Sequence, residues 1–342
     1  HRLIRRQRQM CIRDRAEGRL GELTSVGARQ HRGIAKRMYT NFPQIFADGT
    51  EVDARSTVVI RCILSMTSEC LQLQAMNPNL CIKNDASYHD MYYMNPPAKD
   101  LSKIASSDKV KKVQKDFEAT HVRPERLMKT LFTDEAYVKA NVDEARLMRR
   151  LFDLACNMQS HDTDMQLYSL FTDEECYDLW SCNNLYWYLT HACSPVTDGL
   201  MPYREADLLR NILDRADAAL KEGKNQATLR FGHESCLLPL VALLELNHYG
   251  ESYPDVEKLS EQWRAYDIFP MASNVQFVFF HKKGSNDVLV KVLLNEKEAK
   301  LPVKTDVAPY YHWKDVESYY REKLDKYQHI SVSYTHLTLP TN

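Results

Sequence analysis

At 342 residues and 39.8 kDa, the chain has the length of two ordinary domains or one large one. Apolar residues make up 44% and charged residues 27%, which is ample for a core and ordinary for a water-soluble fold. Lys plus Arg number 45 against 46 Asp plus Glu, a net charge of -1, which excludes a nucleic-acid binder working by bulk positive charge.

The charge is uneven. Residues 1–15 hold six arginines and one acid; without them 39 basic and 45 acidic residues remain, a net of -6. The chain opens on His1 rather than Met, which predicts a reading frame open upstream. Residues 1–15 and 331–342 read as foreign ends of the kind that environmental sequence assemblies carry, and are set aside from fold reasoning. The other reading of 1–15 is a basic arm. No run is long enough for a membrane span, since the longest apolar stretch, Cys236 to Leu244, falls far short of about 20 residues. No Cys-x-x-Cys pair occurs among nine cysteines, against zinc-ribbon and thioredoxin chemistry. Cys176, Cys182 and Cys193 could include a disulfide, or be small buried thiols.

In chain order, Leu23-Thr24 and Gly27 lead into a helix through Ile34 and Met38 that Pro43 ends. Ser56-Thr57 is expected to cap a second helix through Ile63, Met66, Cys70 and Leu73. Asn77-Pro78 and Asn95-Pro96-Pro97 break the pattern. From 98 to 222 the chain reads as helices with polar connections. Phe132-Thr-Asp-Glu135 and Phe171-Thr-Asp-Glu-Glu175 are helix starts, and Thr172 with Glu175 forms a capping box. Tyr177, Trp180, Asn184 and Trp187 line one helical face, as core residues rather than a ligand platform. After Gly223, Ala227–Phe231 reads as a strand and Ser235–Asn247 as a helix. Asn274–His281 and Asp287–Asn295 read as a hairpin. The order is α/β, helical, α/β. It predicts a sheet domain in two parts, 16–97 and 223–330, split by a helical insertion over 98–222.

Three clusters could carry chemistry. His233-Glu234 follows a strand and Gly232 at a helix start, where free N–H groups and the helix dipole favour anions; the plain alternative is a structural cap. His89-Asp90 and His161-Asp162 read as surface or loop pairs. Arg61, in the first turns of a helix after Arg55, could grip a phosphate with two parallel hydrogen bonds. Gln30-His31-Arg32 with Lys36 and Arg37 reads as a solvated basic face.

Gly18-Arg-Leu-Gly-Glu-Leu-Thr24-x-x-Gly27-x-x-Gln30-His31, Arg55-Ser-Thr-x-x-x-Arg61-x-x-x-Ser65 and Arg230-Phe-Gly-His233-Glu234, in that order, resemble the histidine acid phosphatases. Met271-Ala-Ser-Asn274 and Lys291-Val-Leu-Leu-Asn-Glu296 fit as well. Within that family the chain is most similar to multiple inositol polyphosphate phosphatases and their bacterial relatives, which act as phytases. The resemblance implies an α/β sheet domain flanked by helices with a large helical insertion. It also implies phosphomonoester hydrolysis through a phosphohistidine, with no cofactor or metal. It makes Arg61 and His233 phosphate-binding residues and Glu234 the proton donor. Lys36 and Arg230 become possible substrate contacts in a locally basic cleft.

The chain departs from the pattern in three places. Ile60 stands where acid phosphatases often have Asp, and Ser235 where the inositol-polyphosphate branch often has the Glu of His-Ala-Glu. The nucleophile motif Arg-His-Gly-x-Arg-x-Pro is nowhere in the 342 residues. The expectation is a fragment lacking its first central strand and nucleophile, hence inactive. Its rival is a non-catalytic phospholigand-binding relative; a mutase of the wider superfamily fits the long insertion less well. Implied partners are small phosphorylated molecules, not nucleic acid. Exported bacterial relatives imply the periplasm or cell envelope.

Overall fold

The computed structural model describes Gly18 and residues 21–337, with side chains through residue 327. The stub 1–15 and residues 338–342 lie outside the described residues. The chain divides into two compact units. One comprises residues 1–91, 160–162 and 224–232; the other holds the remainder.

The first unit is a parallel sheet with helices. Helix α1 spans Ser25–Asn41, and the Thr24 hydroxyl caps it by accepting from Gly27 N–H. Strand β1 follows at Glu51–Ser56, helix α2 at Ile60–Met76, strand β2 at Cys81–Asp85, and strand β3 much later at Gln226–Phe231. The order is β2-β1-β3, parallel throughout, with Arg55 opposite Asp85 on one side and Arg230 on the other. Among the described residues no strand pairs with the outer edge of β3.

Two of these strands depart from the expectation. Ser56 does not cap a helix: it ends β1, and α2 starts at Ile60 behind Val59, without a side-chain cap. The reason is visible in the register. Val52, Ala54, Ala227, Leu229 and Phe231 share the face that packs on Met66 and Cys70 of α2. Glu51, Asp53, Arg55, Lys83, Asp85, Thr228 and Arg230 share the other. Parallel strands are usually apolar on both faces. A sheet with one polar face alternates at period two, and its short charged strands pass for loops.

The polar face is wired by charge. The Arg55 guanidinium donates to both carboxylate oxygens of buried Asp90 at 3.0 Å and to Asp53 at 3.2 Å. Arg230 donates to the Asp53 carboxylate and carbonyl at 3.1 Å each. Burial alone would raise the Asp53 pKa, but Arg230 and Arg55 outweigh it and hold the carboxyl below its ordinary value. A depressed carboxyl contributes stability above its unfolded pKa, near 3.9, and loses it as pH falls through the folded value. Asp53→Asn is therefore expected to cost about 2 kcal/mol at pH 7, because mostly buried Arg230 loses the carboxylate it is bound to, while Arg55 keeps Asp90. Urea melts at pH 7 and pH 3 should show the gap closing at the lower pH. An equal loss at both would refute the electrostatic origin.

The second unit is helical, with an antiparallel sheet. Its helices of seven residues or more are α3 (Lys99–Ala105), α4 (Asp108–His121), α5 (Glu125–Leu131), α6 (Glu135–Asn141), α7 (Glu144–Asn157), α8 (Asp173–His191), α9 (Ala206–Glu222), α10 (Glu234–Leu243) and α11 (Trp313–Leu337). The capping box opens α8 as expected: Thr172 and Glu175 each accept a backbone N–H from the other. Glu175 also receives two bonds from Arg126, at 2.5 and 2.7 Å, fixing α5 to the start of α8. Leu127, Met148, Phe152, Phe171 and Leu179 form one core cluster.

The aromatic face of α8 is core only in part: Asn184 is buried and Trp180 and Trp187 are half-buried, but Tyr177 is exposed, a correction to the expectation for that residue. Trp180 packs on Tyr266 and Trp187 on Phe269, with ring centroids 5.3 and 4.9 Å apart. Between them buried Asn184 donates to the carbonyl of Trp263 (3.0 Å) and accepts from the N–H of Ala265 (2.8 Å).

The expected hairpin is present, with β4 (Val275–His281) antiparallel to β5 (Val288–Leu294). The short strands β6 (Lys297–Ala299) and β7 (Tyr311–His312) also pair with β5. Helix α11 continues through Leu337, across part of the segment read as a foreign tail. It is tied to α9 by Trp313 Nε1–H to Asp217 (3.0 Å) and by Arg321 to Asp214 and Asp217.

Candidate functional site

The carboxyl ends of β1 and β3 are fastened together. Thr57 N–H donates to Phe231 O at 3.0 Å, and the Cys62 thiol of α2 donates to Gly232 O at 3.1 Å. Ser56, Thr57 and Cys62 are buried. In parallel α/β sheets ligands bind outside the carboxyl ends of the strands, where helix N-termini gather. This is the end of the sheet that carries Arg61. It stands exposed in the first turn of α2, and Ser65 Oγ–H donates to its carbonyl at 2.9 Å.

His233 follows Gly232 directly and belongs to the second unit. It holds the N-cap position of α10 with extended backbone (φ -124°, ψ 157°), and its side chain makes no capping hydrogen bond. His233 thus caps the helix through its backbone and not through its side chain. Its carbonyl accepts from Cys236 N–H and Leu237 N–H at 3.0 Å. Glu234, the first residue of α10, is exposed. That helix begins one residue earlier and ends sooner than expected, with Pro239 inside it.

Lys36 lies exposed on the side of α1 opposite buried Ile34, Ala35 and Met38. Arg230 is mostly buried and bound to Asp53 within the polar sheet face. His31 was expected on a solvated basic face, and that is corrected. Its side chain is 16% exposed and its Nδ1 lies 2.8 Å from a carboxylate oxygen of buried Glu69 on α2. Its spacing of three and four from Ile34 and Ala35 was the signal that it points inward.

Asp90 was expected at the surface; it is 4% exposed and holds Arg55. Nothing local to His89-Asp90 announces this, because the partner is 35 residues away. Asp162 is a surface residue as expected. It binds Ser25 Oγ at 2.6 Å and Arg29 at 2.5 Å.

Cys176, Cys182 and Cys193 are free thiols, as are the other described cysteines. Of the two readings left open, the disulfide is not formed, and the three thiols are partly rather than fully buried. Burial pushes Cys182 up to about 12 and Cys193 up to about 11, so neither is a nucleophile at neutral pH. Among the described residues no cluster of His, Cys, Asp or Glu is arranged to hold a metal ion. No helix there is long and apolar enough to cross a membrane.

A multiple inositol polyphosphate phosphatase of Gallus gallus is 22% identical over 336 residues, covering 90% of this chain and 70% of the relative. The Homo sapiens protein is 28% identical over 134 residues, 35% of this chain and 27% of that one. Among solved structures, a Bifidobacterium longum multiple inositol polyphosphate phosphatase with inositol hexasulfate superposes with a TM-score of 0.69 at 19% identity. It covers 87% of this chain and 79% of its own. A phytase from D. castellii gives 0.65 at 13% identity, over 87% and 63%. These structures share the fold. Residues 7–295 match the family model of histidine phosphatases, branch 2. The chain therefore belongs to the histidine phosphatase superfamily, branch 2.

Proposed function

We propose that the protein from which this chain comes hydrolyses phosphomonoesters of inositol polyphosphates, phytate among them. Arg61 and His233 hold the phosphate oxygens, and Glu234 is the proton donor. The observation that carries the reading is the family match over residues 7–295, with Arg61 and the His233-Glu234 pair following adjacent parallel strands at their carboxyl ends. The names of the relatives favour an inositol polyphosphate as substrate.

In the proposed reaction the phosphoryl group passes from the ester oxygen to a histidine nitrogen. Glu234 protonates the leaving alkoxide, and water then cleaves the P–N bond to release phosphate. Guanidinium and imidazolium groups stabilise the charge that develops on phosphorus oxygens. Lys36 and Arg230 are kept as substrate contacts of lower standing: one faces outward on α1, the other is engaged by Asp53. Export to the periplasm or envelope belongs to the same reading.

Calorimetry with myo-inositol hexasulfate tests the site without needing turnover. Arg61→Ala and His233→Ala are each expected to weaken binding about tenfold or more, the loss of one charge-assisted contact. Unchanged affinity in both would sink the assignment. A second reading has one observation in its favour, the lack of an Arg-His-Gly-x-Arg-x-Pro motif in these 342 residues. It makes the protein a phospholigand-binding relative with the same anion site and no chemistry.

A further inference from the structure

Beneath the first turn of α10 lies a carboxyl group that the proposed chemistry does not use. Glu205 ends a short 3-10 helix, Met201–Glu205, that packs on α10. It is 2% exposed, and its Oε2 has no hydrogen-bond partner. The carboxyl is in hydrogen-bonding reach of the Cys236 thiol. That thiol is also buried, 3.7 Å from Met94 O and from the Asn95 side-chain oxygen. Cys236 closes the turn that begins at His233. Glu205 therefore sits under the short stretch of chain that carries His233 and Glu234.

We propose that Glu205 is a positioning residue: as a neutral carboxyl it wedges the first turn of α10 in place, and its ionisation releases that turn. A buried carboxylate with no cation against it is costly, and the chain escapes the cost by letting water reach it. Few groups nearby can compensate. The Cys236 thiol on α10 and, more weakly, Arg204 on its own turn lower the Glu205 pKa, and Asp207 on α9 raises it. Burial dominates, leaving the carboxyl at about 8. On α10, Cys236 is itself pushed far up by burial and by Glu205. On α8, buried His191 is held down to about 4 by burial and by Arg204, so it is neutral. On α3, Lys103 and Asp100 pair with each other at the surface, 3.1 Å apart.

The sign follows from linkage. Glu205 keeps its proton in the closed turn up to about pH 8 and loses it in the opened turn in the ordinary carboxyl range. The opening equilibrium therefore rises with pH between those limits, about tenfold per unit, and levels off above the closed-state value. The wedge stands independently of the phosphatase reading; only its consequence for phosphate rests on that reading.

The test is hydrogen exchange of the Cys236 and Leu237 amides in the 342-residue chain from pH 6 to pH 9, corrected for intrinsic rates. In the wild type the opening constant should rise about fiftyfold from pH 6 to pH 8 and level off near a hundredfold by pH 9. In Glu205→Gln, which keeps the shape and cannot ionise, it should stay within about threefold. Parallel slopes in the two proteins would overturn the proposal. So would a flat wild-type profile, which needs no variant. Cys236 alkylation at pH 9 is a second readout. If the turn stays closed, ionised Glu205 suppresses the thiolate and the wild type reacts more slowly than Glu205→Gln; the proposal requires it to react faster. Binding of myo-inositol hexasulfate should then fall from pH 6 to pH 9 more steeply in the wild type than in Glu205→Gln. No binding at any pH would count against the phosphate site and leave the exchange result to decide the wedge.

Discussion

Incubated with phytate, the 342-residue chain is expected to release inorganic phosphate no faster than buffer alone. The proposed reaction passes through a covalent phosphohistidine, and the motif that would supply that histidine is not among these residues. Removing a covalent nucleophile costs on the order of a million-fold in kcat, even when the groups that bind and polarise the substrate remain. His31 is no substitute. Its ring is engaged by Glu69 at 2.8 Å, and it lies on α1 rather than at the end of a strand.

Supplying an upstream strand that bears Arg-His-Gly-x-Arg-x-Pro should restore turnover. In that restored protein Glu234→Gln should lower kcat about 10²- to 10⁴-fold, the usual worth of a general acid. Phosphate release by the chain as it stands, abolished by Glu234→Gln, would overturn this account. So would a restored protein indifferent to that substitution.

The second large effect is on folding. Trp263 is fully buried, and Asn184 holds its backbone. Its ring lies against Tyr188 with centroids 5.2 Å apart. Trp263→Ala should cost about 3–5 kcal/mol, from the lost transfer energy and the cavity left behind. Trp263→Phe is expected to cost no more than about 1.5 kcal/mol. It gives up part of the ring, but it also removes an indole N–H that has no hydrogen-bond partner. Asn184→Ala should cost about 2 kcal/mol, since it strands a buried carbonyl and a buried N–H at once. Urea denaturation read by tryptophan fluorescence and by circular dichroism separates the three. A Trp263→Phe protein as unstable as Trp263→Ala would mean that the indole N–H is satisfied after all.

Much of this was legible in the chain. The capping box at Thr172 and Glu175 could be read because a cap is a contact between residues three apart. The hairpin and helix α8 could be read because their periods are local, although exposed Tyr177 is not part of the core. Strands β1 and β2 could not. Their charged residues alternate with apolar ones on a sheet whose charged face satisfies itself, Arg55 to Asp90 and Arg230 to Asp53. Asp90 looked like a loop residue, and His31 like a surface one, for the same reason. The partner that buries each of them lies 35 or 38 residues away.

The sequence by itself determined the family, through Arg61, His233-Glu234 and the order of their motifs. It also determined the alternation of sheet and helical segments, because capping, turn chemistry and hydrophobic period are set within a few residues. Only the tertiary structure decided which ionisable groups are buried and what they face. That turned Arg230 from an open contact into a partner of Asp53, and brought Glu205 beneath the turn that carries His233. Burial and charge pairing depend on segments far apart in the chain, and those two quantities set protonation.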